Sequence, residues 1–397
     1  MIPKPATDGE SSLEVELTVL MPCLNEADTV ALCVGKALRT VRELGLRAEV
    51  LVADNGSSDG SQKLAAEAGA RVVQVAERGY GAALLAGIES ARGRYVIMGD
   101  ADDSYDFLDL GKFVEKLREG NDLVQGCRLP WGGGTVLPGA MPFLHRWWGN
   151  PMFTLLARWW FRAPIHDIYC GLRGFRKDWQ VSLGQRCTGM EFATEMLIKA
   201  SLTGARITEV PVTLHPDGRK AHAPHLKTFR DGWRTLRFFL LCTPRWLFLM
   251  PGLGLVALGL LGYALALPGV RVLGATLDAH TLLFSSLALL CGYQAAVFAV
   301  FTKTMAQNGG LLPPDPRLER FYGVVTLERG LLAAGTALLS GAALLLYAVN
   351  RWRLADFGHL DYAETMRLVI PGVTLFALGF QTVLASFLVS MTGIAKR

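Results

Sequence analysis

The stretch Arg94–Asp106, RYVIMGDADDSYD, joins a short apolar run directly to clustered acids. Tyr95, Val96, Ile97 and Met98 suit a short buried strand, and Gly99 then opens onto Asp100, Asp102, Asp103 and Asp106. The carboxyl end of a buried strand is where an open α/β sheet places ligand chemistry. Hard oxygen ligands there suit Mg²⁺ or Mn²⁺, ions that keep some waters and bind substrate phosphates as well. Taken alone, the acids would also fit a solvated loop or a helix N-terminus. Their company favours a site. Pro22, Asn25, Glu26, Asp54 and Asp59 leave the ends of two earlier apolar runs, where carboxylates and an amide can meet a nucleobase edge and a ribose. Asp100 and Asp102 project to one side, one toward ribose and metal, the other toward the metal directly. Pieces that recognise base, sugar and diphosphate imply a nucleotide-diphosphate ligand.

Alternating elements must position these residues. Strands are expected at Leu17–Met21, Val50–Ala53, Arg71–Val75 and Tyr95–Met98, with helices at 27–44, up to Ala68 and at 82–90. The first helix shows Val30, Val34, Leu38 and Val41 at helical spacing. This alternation predicts a mostly parallel sheet with helices on both faces. Gly79-Tyr80-Gly81 lacks the full G-x-G-x-x-G, which argues against a dinucleotide site.

At 397 residues the chain has room for two domains, and 51% hydrophobic residues with a mean hydropathy of +0.29 is rich for a soluble protein. The surplus lies after Trp246. Seven scattered cysteines form no C-x-x-C pair, so neither a disulfide framework nor a zinc site is expected. Net charge is only +5, and no nucleic-acid partner is expected. Residues 1–16 read as a flexible tail without the apolar core of a signal peptide.

Residues 142–162, PFLHRWWGNPMFTLLARWWFR, mix aromatics with Arg146, Arg158 and Arg162, which suits a helix lying at a membrane interface. In 225–243 the bases Lys227, Arg230, Arg234 and Arg237 and the apolar Phe229, Trp233, Leu236 and Leu240 form two stripes of an amphipathic juxtamembrane helix. Four apolar stretches follow, at 246–267, 282–301, 330–349 and 368–391, each near the ~20 residues that cross a bilayer. They lack intramembrane acids and bases and read as an anchor or an assembly surface. An even number of spans puts both soluble ends on one side. Lys303, Arg317, Arg320, Arg329, Lys396 and Arg397 mark that side as cytoplasmic.

In order, MPCLNE, VADNGSSDG, RGYGAALLAGIESARG, GDADDSYD, QGCR and EVPV resemble the inverting nucleotide-sugar glycosyltransferases of family two, of GT-A fold. Within that family the chain is similar to the polyprenyl-phosphate branch, typified by dolichyl-phosphate mannose synthase and undecaprenyl-phosphate glucosyltransferases. The resemblance covers about residues 17–243 and implies a Rossmann-like α/β catalytic domain, here 17–224, followed by the juxtamembrane helix and a four-helix transmembrane domain over 244–397. It implies that Pro22, Asn25, Glu26 and Asp54 hold the nucleoside, and that Asp100, Ala101 and Asp102 meet ribose, diphosphate and metal. Arg219 and Lys220 close over the diphosphate, while Arg128, Arg146 and Asn150 take the acceptor phosphate. Asp167–Phe175 lines the sugar site, where Glu191 or Glu195 faces the sugar or orients Arg173, or else forms a plain helix salt bridge. His215, His222 and His225 read as solvated loop residues. Two departures stand out: Asn55 replaces a frequent second aspartate, and Asp103-Ser104 follows the D-x-D, which leaves Mg²⁺ or Mn²⁺ open. The implied reaction moves a hexose from a UDP- or GDP-sugar to a polyprenyl phosphate. Two alternatives stand: a hydroxyl acceptor on a lipid or polysaccharide with Asp103 or Asp167 as base, although no Q-x-x-R-W signature is present, and a non-catalytic nucleotide-sugar-binding scaffold. Assembly into a homo-oligomer is left open.

Overall fold

The computed structural model describes residues 15–219, 228–272 and 274–393. The chain divides into two compact units, one ending at Phe238 and one starting at Phe239. The expected tail therefore lies almost wholly outside the described residues, as do Lys220, His222, His225 and Lys227.

In the first unit β1 (Leu17–Cys23), α1 (Val30–Glu43), β2 (Ala48–Asp54), α2 (Ser61–Glu67), β3 (Arg71–Gln74), α3 (Tyr80–Ser90) and β4 (Tyr95–Met98) alternate. They are followed by α4 (Leu110–Arg118), β5 (Leu123–Cys127), β6 (Thr135–Val136), α5 (Asn150–Phe161), β7 (Arg173–Arg176), α6 (Lys177–Ser182), α7 (Phe192–Thr203), β8 (Ile207–Pro211) and β9 (Thr213–Leu214). The seven-stranded sheet has the order β3-β2-β1-β4-β7-β5-β8. Only β7 runs against the others, pairing antiparallel with β4 and β5. The segment Ile207–Leu214 forms two strands: β8 joins the main sheet and β9 pairs with β6 in a separate ribbon.

The sheet is a two-faced layer because its strands alternate. Leu17, Val19, Met21 and Cys23 of β1 pack with Val30, Cys33, Val34, Ala37 and Val41 of α1 and with Phe113 and Leu117 of α4. Leu20 points the other way, against α3, where a Cβ on Gly87 would lie 2.4 Å from the leucine Cδ1. The register aligns Cys23 with Asp54 and Leu20 with Met98, so the carboxyl ends of β1, β2 and β4 finish along one edge.

After α8 (Thr228–Cys242), the second unit contains α9 (Met250–Ala266), the short β10 (Arg271–Val272) and β11 (Ala275–Thr276), α10 (Ala279–Asn308), α11 (Pro316–Val324), α12 (Leu327–Leu354) and α13 (Tyr362–Gly393). Among the described residues, four helices are long and apolar enough to cross a membrane: Arg245–Ala266, Ala279–Asn308, Leu327–Leu354 and Tyr362–Gly393. In lipid, helices associate through close backbone approach rather than hydrophobic burial, which favours small residues at the contacts. A Cβ on Gly292 would sit 2.6 Å from the Gly252 carbonyl oxygen, and one on Gly341 2.7 Å from that of Gly372. Between α9, α10 and α13, Tyr263, Ser286 and Thr374 share hydroxyl hydrogen bonds of 2.7–3.0 Å, which satisfies these polar groups without water.

Candidate active site

The sheet edge gathers the expected donor-side residues. Asn25, just beyond β1, has φ 60°, a conformation that asparagine tolerates better than most residues. Its backbone N–H donates to Ser57 Oγ at 2.8 Å, and its Oδ1 accepts from Ser58 N at 2.9 Å. Glu26, nearly buried, donates its backbone N–H to Ser61 Oγ at 2.8 Å. Asp59 ties Ser61 and Ala27 into the same turn. Asp54 is 1% exposed. Its Oδ2 accepts from Gly56 N, Ser57 N and Gln62 Nε2 at 3.0, 3.1 and 2.6 Å, while its Oδ1 is buried without a partner. A buried acceptor left unsatisfied is costly, and an N–H of a ligand would relieve that cost. Asn55 is structural: its side chain donates to Glu77 O and accepts from Gly79 N, both at 2.7 Å.

Beyond β4, Thr29 Oγ1 donates to the Ala101 carbonyl at 2.6 Å and pins the acidic loop to α1. Tyr80 donates its hydroxyl to Asp100 Oδ1 at 3.1 Å. Gly171 leaves room on the other side, since a Cβ there would stand 2.7 Å from Asp100 Oδ2. Desolvation, with Asp102 next to it, pushes the Asp100 carboxyl up to about 7. Asp102 Oδ1 accepts from Ser104 N at 3.0 Å and Ser104 Oγ at 2.6 Å, which turns Oδ2 toward Arg219 at 3.2 Å. Asp103 goes elsewhere: with φ 61° it faces α1 and pairs with Lys36 Nζ at 2.7 Å.

Arg219 spans the edge. Its guanidinium reaches Glu26 Oε1 at 3.1 Å as well as Asp102, and Asp217 holds it from two residues back. Burial opposes the charge, but Asp217, Glu26 and Asp102 raise the guanidinium above its ordinary pKa. Gly218 N donates to the Asp102 carbonyl at 3.0 Å and His215 N to the Ser104 carbonyl at 2.9 Å, so residues 215–219 lie along the acidic loop.

The raised Asp100 carboxyl makes the stability of the fold depend on pH. Because its folded pKa, about 7, lies above the ordinary 3.8, the folded state holds the extra proton between those values. Metal-free protein therefore loses stability as pH rises through that window and levels off above it. Asp100→Asn removes this slope, and melting curves of detergent-solubilised protein against pH check it. Parallel curves for the two proteins would refute the expectation.

The acceptor-side residues separate into two groups. Arg128 is buried with Asp167, donating from Nε to Oδ2 at 2.7 Å and from Nη2 to Oδ1 at 2.8 Å, while Nη1 reaches Tyr105 Oη at 3.4 Å. Arg146 lies in a π-helical turn, His145–Gly149, just before α5. Its guanidinium stacks over Trp147 at 5.5 Å, and its Nε is buried without a hydrogen-bond partner. Asn150 is buried, with Nδ2 on the weak acceptor Met141 Sδ at 3.4 Å. On this segment Asn150, Phe153, Thr154, Ala157 and Phe161 face inward, whereas Leu144, Trp148, Met152, Leu155 and Trp159 point outward. The outward stripe of a surface helix is ordinarily polar; here it is aromatic and aliphatic.

Of the alternatives for the sugar-side glutamates, Glu195 takes the helix salt bridge. Arg173 is completely buried and donates to the carbonyls of Cys170, Ala193 and Ile168, so no glutamate orients it. Glu195 pairs with Lys199 at 2.8 Å and accepts from the backbone N–H groups of Arg186 and Cys187. A fully buried carboxylate is retained where such donors surround it. Gly79 and Gly81 serve this same loop: a Cβ on either would lie within 2.2–2.4 Å of the Thr188 or Cys187 carbonyl oxygen. Tyr80, Tyr105, Gly171 and Asp217 escaped sequence reasoning as site residues. Only Tyr80 carried a signal, at the start of a helix after a strand.

Among the described residues, no three His, Cys, Asp or Glu side chains gather as a metal cage. The site instead offers Asp102 Oδ2, already facing a cation, beside Asp100. That suits an ion held by one or two carboxylates with a diphosphate completing its shell, the habit of Mg²⁺ and, by its hard oxygen preference, Mn²⁺.

A mostly parallel GT-A-like sheet with acids along its carboxyl edge, in one chain with four membrane-length helices, defines an integral membrane glycosyltransferase. The family model described as glycosyl transferase family 2 matches residues 18–181, and that of the glycosyltransferase family 2 C-terminal transmembrane region matches 300–393. The low-salt glycan biosynthesis hexosyltransferase Agl6 of Haloferax volcanii is 36% identical over 386 residues, covering 97% of this chain and 91% of that one. The chain belongs to glycosyltransferase family 2. A dolichyl-phosphate hexose transferase of the same organism is 32% identical over 224 residues, 55% of this chain and 89% of its own length. Glucosyl-3-phosphoglycerate synthase from Mycobacterium tuberculosis overlaps with a TM-score of 0.45 at 20% identity, over 60% of this chain and 85% of that one.

Proposed function

We propose that the protein transfers a hexose from a UDP- or GDP-sugar to a polyprenyl phosphate, with the catalytic unit and both termini on the cytoplasmic face. Hexose transfer follows from the likeness to Agl6, and the lipid phosphate from the likeness to the dolichyl-phosphate hexose transferase. The observation that carries the acceptor class is Arg146. Its unpartnered Nε sits on a segment whose outward stripe is apolar, a pairing that suits a phosphate on a lipid tail. The hydroxyl-acceptor alternative needs a general base, and the two candidates are engaged: Asp103 by Lys36, Asp167 by Arg128.

In this reading Asn25, Glu26 and Asp54, with Pro22, hold the nucleoside, and Asp100, Ala101 and Asp102 border the ribose and diphosphate. A divalent ion bound at Asp102 and Asp100 would neutralise the leaving diphosphate. Arg219 and Lys220 add positive charge around the same oxygens. Arg146, Asn150 and Arg128 orient the acceptor phosphate. One phosphate oxygen attacks the anomeric carbon as the bond to the nucleoside diphosphate breaks on the opposite side, inverting that centre. A phosphate monoester has its second pKa near ~6, so the nucleophile is already ionised at neutral pH and no proton need be removed.

Purified full-length protein given radiolabelled UDP- or GDP-sugar and polyprenyl phosphate is expected to form a mild-acid-labile lipid product, separable by thin-layer chromatography. An acid-stable glycolipid, or no product with any pairing, would overturn the reading. Arg146→Ala is expected to lower kcat/KM for the lipid phosphate by roughly 10- to 100-fold, the worth of a hydrogen bond to a charged group, with donor KM unchanged. Normal lipid kinetics in that variant would remove Arg146 from the acceptor site.

A further inference from the structure

Three carboxylates meet one cation at the sheet edge, and none of the four side chains is more than about a quarter exposed: Arg219 10%, Glu26 9%, Asp102 15% and Asp217 27%. Arg219 is thus already neutralised by the carboxylates that the proposed function gives to the donor and its metal. We infer that Arg219 is a resident placeholder for the divalent ion, released only when metal and nucleotide diphosphate arrive together, and that Asp217 is the positioning residue that parks it. The inference rests on the reading of Asp102 as the residue that meets the metal.

The geometry supports each part. Asp217 accepts Arg219 Nε at 2.9 and 2.8 Å and the backbone N–H of Arg219 at 2.9 Å, a local clasp that needs no ligand. Gly218 is anchored at 3.0 Å to the carbonyl of Asp102 itself. A Cβ on Gly218 would come within 3.3 Å of the Asp102 carbonyl oxygen and of Asp103 Cβ, so the segment lies flat on the acidic loop. The guanidinium then touches the same Asp102 Oδ2 that a metal would take.

Two cations on that one oxygen repel strongly in a partly desolvated site, and a further anion between them relieves the repulsion. A metal alone must displace Arg219 from Asp102 Oδ2 and cost it one of its three carboxylate partners. A nucleotide alone meets an arginine already satisfied. When both come, the diphosphate takes the guanidinium as the ion takes Asp102, and each binding event favours the other. Such reciprocal coupling between two ligands commonly amounts to about 5- to 150-fold.

The test is Mn²⁺ binding, read from the electron paramagnetic resonance signal of free ion, on full-length protein in detergent with and without UDP or GDP. Wild type is expected to bind Mn²⁺ weakly alone and roughly tenfold or more tightly with nucleotide. Arg219→Gln is expected to bind Mn²⁺ alone about tenfold more tightly than wild type, to bind nucleotide less well, and to lose most of the coupling. Asp217→Asn, which keeps the cation and loosens its clasp, should shift in the same direction by less while keeping nucleotide affinity. If neither variant binds Mn²⁺ alone more tightly than wild type, the placeholder is refuted. Asp102→Asn separates the two levels. Were it to bind Mn²⁺ like wild type, the metal reading itself would fail. If it loses Mn²⁺ while both other variants match wild type, only the placeholder fails.

Discussion

Asp102→Ala and Asp102→Asn are both expected to depress transfer by at least about 10²-fold, the scale seen when one preorganised transition-state stabiliser is removed, with little change in melting temperature. The asparagine variant is the sharper of the two. Asp102 Oδ1 organises the turn through Ser104 N and Oγ, and an amide oxygen can keep both bonds. What asparagine loses is the charge opposite Arg219, on the oxygen that would hold the ion. A steady-state assay with radiolabelled donor, run beside thermal melts, separates loss of chemistry from loss of fold. Near-normal turnover in Asp102→Asn would mean that the negative charge has no part in the reaction.

The second large effect is on stability. Asp167 is wholly buried and satisfies Arg128 at Nε, Nη2 and the backbone N–H. Burial opposes the Arg128 charge, and Asp167 holds it well above its ordinary pKa. Asp167→Ala strands that guanidinium, and removing one partner of a buried pair typically costs about 3–5 kcal/mol. A lower melting temperature and poor recovery of folded protein are expected. Replacing both residues with apolar ones, as in Arg128→Met with Asp167→Leu, should restore much of the stability, since no charge then remains buried. Only the acceptor kinetics should stay impaired in that double variant. A double variant as unstable as Asp167→Ala would show that the pair is not the source of the loss.

These two residues mark how far the sequence could be read. Asp102 was legible because an apolar strand followed by a D-x-D is a local pattern. The strands, the helices between them and the four membrane-length segments were legible for the same reason: their periodicities are short. The division of Ile207–Leu214 between two sheets was not legible, since it depends on the β6 ribbon arriving from far along the chain. Nor was the partnership of Arg128 with Asp167, 39 residues apart.

The sequence by itself determined the element order, the family and the set of acids placed at strand ends, because strand alternation, turn chemistry and span length are written in neighbouring residues. Tertiary structure alone decided which of the chain's acids stay available. It turned Asp103 to Lys36, buried Asp167 under Arg128, enclosed Glu195 among backbone donors and left Asp102 facing Arg219. The physical reason is that a carboxylate's role is set by the cations and N–H groups that folding brings to it. Nothing in the residue or its neighbours along the chain specifies those partners.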